Sequence, residues 1–195
     1  MIAILVQGGG GVFGFALIVL LASWIFWLYP FLRKRFTGPK RESNVMAPRG
    51  KWGLLLQSAG IFFAWCWMPG TTPPGVARMV ASMILAPLAT VFGWLAVRHL
   101  GKQLRILAGL YPDHELIRTG PYSIVRHPVY ASLFLIMLAT GLLFAQWPFL
   151  LLAIALYIAG TEIRIAAEEG LLQSRFGKEF ENYKASVPAY LPFLR

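Results

Sequence analysis

Between residues 114 and 130 the chain reads His114-Glu-Leu-Ile-Arg-Thr-Gly-Pro-Tyr-Ser-Ile-Val-Arg-His-Pro-Val-Tyr130. Two histidines, two arginines and two tyrosines crowd into one Gly/Pro-kinked stretch between apolar runs. Polar groups at the edge of lipid are expensive and persist there mostly because they bind or catalyse something. A second group, Glu162, Arg164, Glu168 and Glu169, closes the last apolar run. Arg164 and Glu168 stand at i and i+4 and share a helix face. As a plain surface ion pair they would contribute only ~0.3–0.5 kcal/mol, and Arg before Glu is the weaker order. Three carboxylates within about two helical turns suit a small cationic ligand better than they suit an anchor. Taken singly, the pieces have simpler readings. Arg126 can snorkel, His127 can cap and Pro128 can start a helix, while Thr119-Gly-Pro-Tyr122 is a turn by composition.

These groups need elements to hold them, and composition says which. The chain has 195 residues, 57% of them hydrophobic and 13% charged, with mean hydropathy +0.62. That is more apolar surface than a soluble domain of this length can hide, so an integral membrane protein is expected. Runs near the 20 residues that cross a bilayer lie at Val12–Leu32, Trp52–Met68, Val76–Val97, Val129–Phe144 and Pro148–Ile163. Pro87 predicts a kink in the third run. Only Ala145-Gln-Trp147 joins the last two, which requires an antiparallel hairpin with Pro148 in the first turn of its second helix. Past that hairpin, Leu171, Leu172, Phe176, Phe180 and Tyr183 recur with helical period. They predict an amphipathic helix over residues 165–183 lying on the membrane surface, ended by Pro188 and Pro192. The expected fold is all-α: five transmembrane helices, a cytoplasmic pocket and this amphipathic C-terminal helix. It forms one membrane domain over residues 1–195, with three spans and their loops in 1–100 and the polar, catalytic half in 101–195.

Orientation follows from the basic residues, 17 of the 18 falling in three connecting segments on one side and Arg78 on the other. Arg33, Lys34, Arg35, Lys40, Arg41, Arg49 and Lys51 fill the first segment. The second holds Arg98, Lys102, Arg105, Arg118 and Arg126, and the third Arg164, Arg175, Lys178, Lys184 and Arg195. This asymmetry puts the N-terminus outside and the C-terminus, with the polar segment, in the cytoplasm.

The net charge of +10 comes in blocks between spans rather than along one face, so nucleic acid is not an expected partner. No obligate protein partner is evident either. Cys66 is the single cysteine, inside an apolar run, and reads as a small hydrophobe. The three histidines, His99, His114 and His127, match no metal-ligand spacing. Trp24, Trp52 and Trp147 read as interface-belt residues. Met1 to Gly11 lacks the basic start of a signal peptide, Gly8–Gly11 is a flexible lead-in, and Thr71-Thr-Pro-Pro-Gly75 is an external turn.

Leu116-Ile-Arg-Thr-Gly-Pro-Tyr122, Val125-Arg-His-Pro-Val-Tyr130, Glu168-Glu-Gly-Leu-Leu172, Phe176-Gly177, Tyr183 and Val187-Pro188 follow one another across a helical hairpin. In this order they resemble the isoprenylcysteine carboxyl methyltransferase family, whose motif is shared with phospholipid N-methyltransferases. The resemblance runs from about Gly101 to the C-terminus and leaves out the first two spans. It implies S-adenosyl-L-methionine as methyl donor, with S-adenosyl-L-homocysteine as product, bound at the cytoplasmic face. By position, it implies that His114, Glu115, Leu116, Ile117 and Tyr122 line the cofactor and that His127, Pro128, Val129 and Tyr130 form a second wall. Glu168 would meet the cofactor, and Arg164 the acceptor; these two are the implied catalytic residues. Two positions depart from the family's pattern. Ser132 stands where glycine is common and is expected to narrow the pocket. A polar residue expected upstream of His114 aligns near Leu107, with Gln103 as the nearest substitute.

The chemistry of that donor suits these residues. Its ammonium can meet Glu168 or Glu169, its carboxylate His127 or a backbone N–H, and its adenine can pack on tyrosines and apolar side chains. A carboxylate acceptor is ionised near pH 7 and needs a cation rather than a base. Arg164 is the candidate cation, and no base for an amine stands out. The expected activity is therefore carboxyl O-methylation of a lipophilic, prenylated or lipid acceptor that enters from the bilayer. Phospholipid N-methylation of phosphatidylethanolamine type, thiol methylation, and a non-catalytic scaffold or small transporter retaining the fold are the alternatives.

Overall fold

The computed structural model describes residues 10–37, 45–46, 49–66, 74–104, 109–110 and 114–190. Each apolar run becomes a helix: α1 (Gly10–Thr37), α2 (Gly50–Ala64), α3 (Val76–Leu100), α4 (Pro128–Phe144) and α5 (Trp147–Phe176), followed by a short α6 (Lys178–Ser186). Two two-residue strands, β1 (Val45–Met46) and β2 (Gly109–Leu110), pair antiparallel and tie the α1–α2 connection to the chain that follows α3. Among the described residues, they are the one addition to the all-α expectation. Gly10 and Gly11, read as lead-in, open α1 instead.

Among the described residues, three helices are long and apolar enough to cross a membrane: the stretches Gly11–Arg33, Val76–Gln103 and Trp147–Phe176. The other two expected spans are shorter helices. At about 1.5 Å per residue, the 15 residues of α2 and 17 of α4 reach roughly 22 and 25 Å, against a hydrocarbon core of about 30 Å. α2 also stops at Ala64 rather than Met68. The expected break after Ile163 is absent, and α5 continues for 30 residues to Phe176. Arg164, Glu168 and Glu169 are good helix formers, so charge alone gives no reason to stop. The stop comes at Gly177, whose φ of 50° lies in the left-handed region that glycine tolerates. Thr71, Thr72, Pro73 and Pro192, and the basic residues Lys40, Arg41, Arg105 and Arg195, lie outside the described residues.

α3 packs against both α1 and α4, and α2 lies along α5. Alanines make these approaches close. Ala16, Ala86 and Ala139 meet in one buried cluster with Phe13, Leu20, Met79 and Leu143, while Ala64 and Ala153 meet Met137 and Tyr157 in another. The α2–α5 contact is closer still. A Cβ on Gly53 would stand 2.5 Å from the Gly160 carbonyl oxygen and 2.6 Å from Arg164 Cγ. Side chains bridge the other helices. Trp24 Nε1 donates to Thr140 Oγ1 at 2.9 Å, so this tryptophan sits in the bundle rather than in an interface belt, whereas Trp52 and Trp147 are exposed.

Arg78 caps the C-terminus of α4. Its Nη2 donates to the Gly141 carbonyl at 3.0 Å and to the Ala145 carbonyl, and the guanidinium lies over the Trp147 ring at 5.0 Å. It thereby gives a donor to the Ala145 carbonyl just past the helix end and a second one to the Gly141 carbonyl, which already accepts from the Ala145 N–H. Arg78→Met is expected to lower folding stability by about 2 kcal/mol, the scale of a charge-assisted hydrogen bond at a part-buried site. Thermal unfolding in detergent reads this, and an unchanged midpoint would make the cap dispensable.

Candidate functional site

At the end where α3 stops and α5 gives way to α6, six segments converge on an open pocket. Leu100 and Gln103 come from the end of α3 and its 3-10 turn, His114–Ile117 from an irregular stretch further along, and Tyr122 from the Gly120–Ser123 turn. Arg126, His127, Val129 and Tyr130 come from the entry to α4, Glu168, Leu171 and Leu172 from α5, and Phe180 and Tyr183 from α6. Of the ten residues singled out for cofactor binding, nine line this pocket: His114, Glu115, Leu116, Ile117, Tyr122, His127, Val129, Tyr130 and Glu168. Pro128 does not. It is buried in the first turn of α4 and sets that helix's start. Glu115 reaches the exposed rim, where its carboxylate pairs with Lys102 at 2.9 Å.

The two departures resolve differently. Gln103 is buried and stands in the pocket wall, while Leu107 lies outside the described residues. Ser132 does not narrow the pocket. Half a turn beyond Tyr130, it faces the other side of α4, where its hydroxyl accepts from Trp27 Nε1 at 3.1 Å and donates to the Val129 carbonyl at 2.8 Å.

The carboxylates cluster less than the sequence suggested. Glu162 is exposed and accepts from the Tyr190 hydroxyl at 2.7 Å, pinning the C-terminal stretch to α5. Glu169 is locked among cations: Arg126 Nε and Nη2 donate to Oε1 at 2.9 and 2.7 Å, Lys184 Nζ reaches Oε2 at 2.7 Å, and His127 Nε2 lies 3.3 Å away. Arg126 also donates to the Val187 and Lys184 carbonyls. Backbone bonds from Arg126 and His127 to the carbonyls of Pro188 and Ala189, at 2.9 and 2.8 Å, complete a clamp that fastens the chain after α6 across the start of α4. Glu169 is thus structural in its contacts. Glu168, whose side chain is 25% exposed against 8% for Glu169, is the carboxylate that faces the pocket. It accepts from the Tyr130 hydroxyl and has His127 Nδ1 at 3.6 Å and Arg164 Nη2 at 3.9 Å.

His127 sits between the two glutamates. Burial alone would lower its pKa, but hydrogen bonds and charge from Glu168 and Glu169 outweigh that, and the net shift is upward from 6.5. Its imidazolium therefore persists to higher pH than that of a free histidine. The phenols remain neutral: burial, above all, pushes Tyr183 up to about 12 and Tyr122 further. Tyr183 donates to the Tyr122 carbonyl at 2.6 Å, bracing one wall against α6.

Arg164 lies beneath the pocket rather than in its lining. Its guanidinium is buried 4.6 Å from the Tyr130 ring centroid, and Nη1 donates to Gln57 Oε1 on α2 at 2.8 Å. Sequence reasoning passed over Gln57, a single amide in an apolar run, and over Arg126 and Glu169 as a pair. It also assigned Leu171, Leu172, Phe180 and Tyr183 to a membrane-facing stripe, whereas they line the pocket. Periodicity shows that a face is covered without showing by what.

A model of the isoprenylcysteine carboxyl methyltransferase family matches residues 81–174, the stretch that carries α3, α4 and most of α5 with the polar cluster. Over those residues the chain is similar to that family. Its named members among the relatives include a protein-S-isoprenylcysteine O-methyltransferase of Schizosaccharomyces pombe, 35% identical over 82 residues, which are 42% of this chain and 35% of that one. A probable enzyme of the same name from Oryza sativa subsp. indica is 30% identical over 122 residues, 62% of this chain and 60% of the relative. A nickel-cobalt-cadmium resistance protein, NccN, of Alcaligenes xylosoxydans xylosoxydans is 32% identical over 141 residues, covering 62% and 64%. The chain spans from about a third to just under two thirds of the length of these relatives. Among the described residues, no three His, Cys, Asp or Glu side chains are grouped as a metal site would need.

Proposed function

We propose that this protein is an integral-membrane, S-adenosylmethionine-dependent methyltransferase that esterifies the carboxylate of a lipophilic acceptor arriving from the bilayer. The carrying observation is the placement of Glu168 and Arg164, one turn apart on α5: one faces the pocket, and the other lies beneath it under the Tyr130 ring. The family match supports the reaction class.

The pocket's donor set fits the cofactor. Glu168 can hold an ammonium, and the raised pKa of His127 suits it to a carboxylate. Tyr122, Ile117, Leu171 and Leu172 offer an apolar, aromatic wall for an adenine. The bound cofactor supplies an electrophilic methyl group. The protein's share is alignment, which makes up most of the catalysis in an in-line displacement. The Arg126–Glu169 clamp fixes the entry to α4, so His127 and Tyr130 keep their places beside Glu168. Arg164 offers a planar fork of N–H donors to an acceptor carboxylate, which is already ionised and requires no base. Amine and thiol acceptors would each have to lose a proton, and either would give a methylated product stable to base. Saturable thermal stabilisation of the purified protein by S-adenosylhomocysteine tests the cofactor assignment, and a midpoint indifferent to that product would remove it.

The same reading places all five apolar helices in one bilayer-embedded domain, the short α2 and α4 against the long α5 and α3. It sets the N-terminus outside, with the C-terminus and pocket in the cytoplasm. Cysteines introduced at Lys40 and Lys184 should then be labelled by an impermeant reagent from the same side. Labelling from opposite sides would overturn the orientation.

A further inference from the structure

α2 lies outside both the stretch matched by the family and the motif read from the sequence, yet it supplies a hydrogen bond to Arg164. Gln57 is 1% exposed in the middle of α2, and its two ends face different partners on α5. Its Nε2 donates to Thr161 Oγ1 at 2.7 Å, and its Oε1 accepts from Arg164 Nη1 at 2.8 Å. Arginine can only donate, so the amide oxygen must face it, which leaves Nε2 for the threonine hydroxyl. Gly53 and Gly160, whose backbones leave no room for a Cβ, bring α2 near enough for both bonds. A buried amide between membrane helices is costly unless both ends are satisfied, and here they are.

The amide's neutrality matters as much as its geometry. A buried arginine in such a site is most simply matched by a carboxylate. Gln57 holds one edge of the guanidinium without adding a negative charge, and Glu168 Oε1 is 3.9 Å from Nη2. We propose that Gln57 is a positioning and specificity-determining residue: it orients Arg164 through a neutral bond, so that the acceptor site favours an anionic group. This rests on the reading of Arg164 as the partner of the acceptor carboxylate.

The test uses the full chain in detergent, with methyl-labelled S-adenosylmethionine and N-acetyl-S-farnesylcysteine as the acceptor probe. Gln57→Glu preserves size and gives Arg164 a second charged partner, closer than Glu168. It should retain thermal stability and bind S-adenosylhomocysteine within about twofold of wild type, while KM for the probe rises at least tenfold. Gln57→Leu, which frees the guanidinium to reorient, should lower kcat/KM for the probe at least fivefold, again with cofactor affinity kept. Thr161→Val releases the far end of the amide and serves the same purpose if the leucine variant fails to fold. A purely structural role predicts that activity follows stability, so a stable Gln57→Glu protein with wild-type KM overturns the proposal. So does a loss of cofactor affinity parallel to the loss of turnover. If the wild type itself methylates no probe carboxylate, the reading of Arg164 falls and this inference with it. That outcome is distinct from an active wild type whose Gln57 variants behave normally.

Discussion

Glu168→Gln is expected to weaken S-adenosylhomocysteine binding by roughly ten- to a hundredfold, the ~1.5–3 kcal/mol of one charge-assisted hydrogen bond. The amide keeps an oxygen for the Tyr130 hydroxyl, so the wall survives while the charge that would face an ammonium is lost. His127→Ala should fall in the same range by removing the partner of the other charged end. Its backbone N–H still reaches the Ala189 carbonyl, and Glu169 retains Arg126 and Lys184, so the clamp holds. The two losses differ with pH. The histidine's folded-state pKa is raised above 6.5, so its charge is complete below that value and disappears as pH rises through the raised one. The stability it draws from Glu168 and Glu169 is present and lost over the same interval. Wild-type affinity should therefore decline on the alkaline side of 6.5, and that of His127→Ala should not. Calorimetric titration across that range measures both effects. Wild-type affinity in both variants would show that the cofactor binds elsewhere.

Arg164→Lys should leave that affinity within about twofold and lower methyl transfer at least tenfold, or ~1.4 kcal/mol of transition-state stabilisation. The arginine's Nη1 is committed to Gln57 at 2.8 Å and its plane is held against the Tyr130 ring, so its remaining N–H groups have fixed directions. An ammonium on a flexible stem keeps the charge but loses both the fork and the ring contact. Kinetics with saturating cofactor give kcat and KM for the acceptor separately. Turnover close to wild type would reduce Arg164 to a bridge between α2 and α5, and would favour an amine acceptor.

The site could be read this far from sequence because its parts are local. His127, Pro128 and Tyr130 fall within one helical turn of the start of α4, and proline fixes where that helix begins. Ala145-Gln-Trp147 leaves no choice but a hairpin. What could not be read depends on which helix meets which. Gly53, Gly60 and Gly160 are small residues in apolar runs, and their spacing alone does not name a partner, so the α2–α5 seam and the role of Gln57 went unseen. Leu171, Leu172, Phe180 and Tyr183 were assigned to lipid because an apolar stripe looks the same against a membrane as against a pocket. α5 outran its expected end because its charged residues marked where lipid was thought to stop, while the helix itself persists to the first glycine that breaks it cleanly.

In the proposed reaction a methyl group passes from S-adenosylmethionine to an acceptor carboxylate. Its most direct test is incubation of the purified protein in lipid vesicles with methyl-labelled cofactor and N-acetyl-S-farnesylcysteine, followed by mild base. The expected result is incorporation that base releases as methanol, the mark of an ester. Label that survives base would identify an amine or thioether product and contradict it, as would the absence of any transfer.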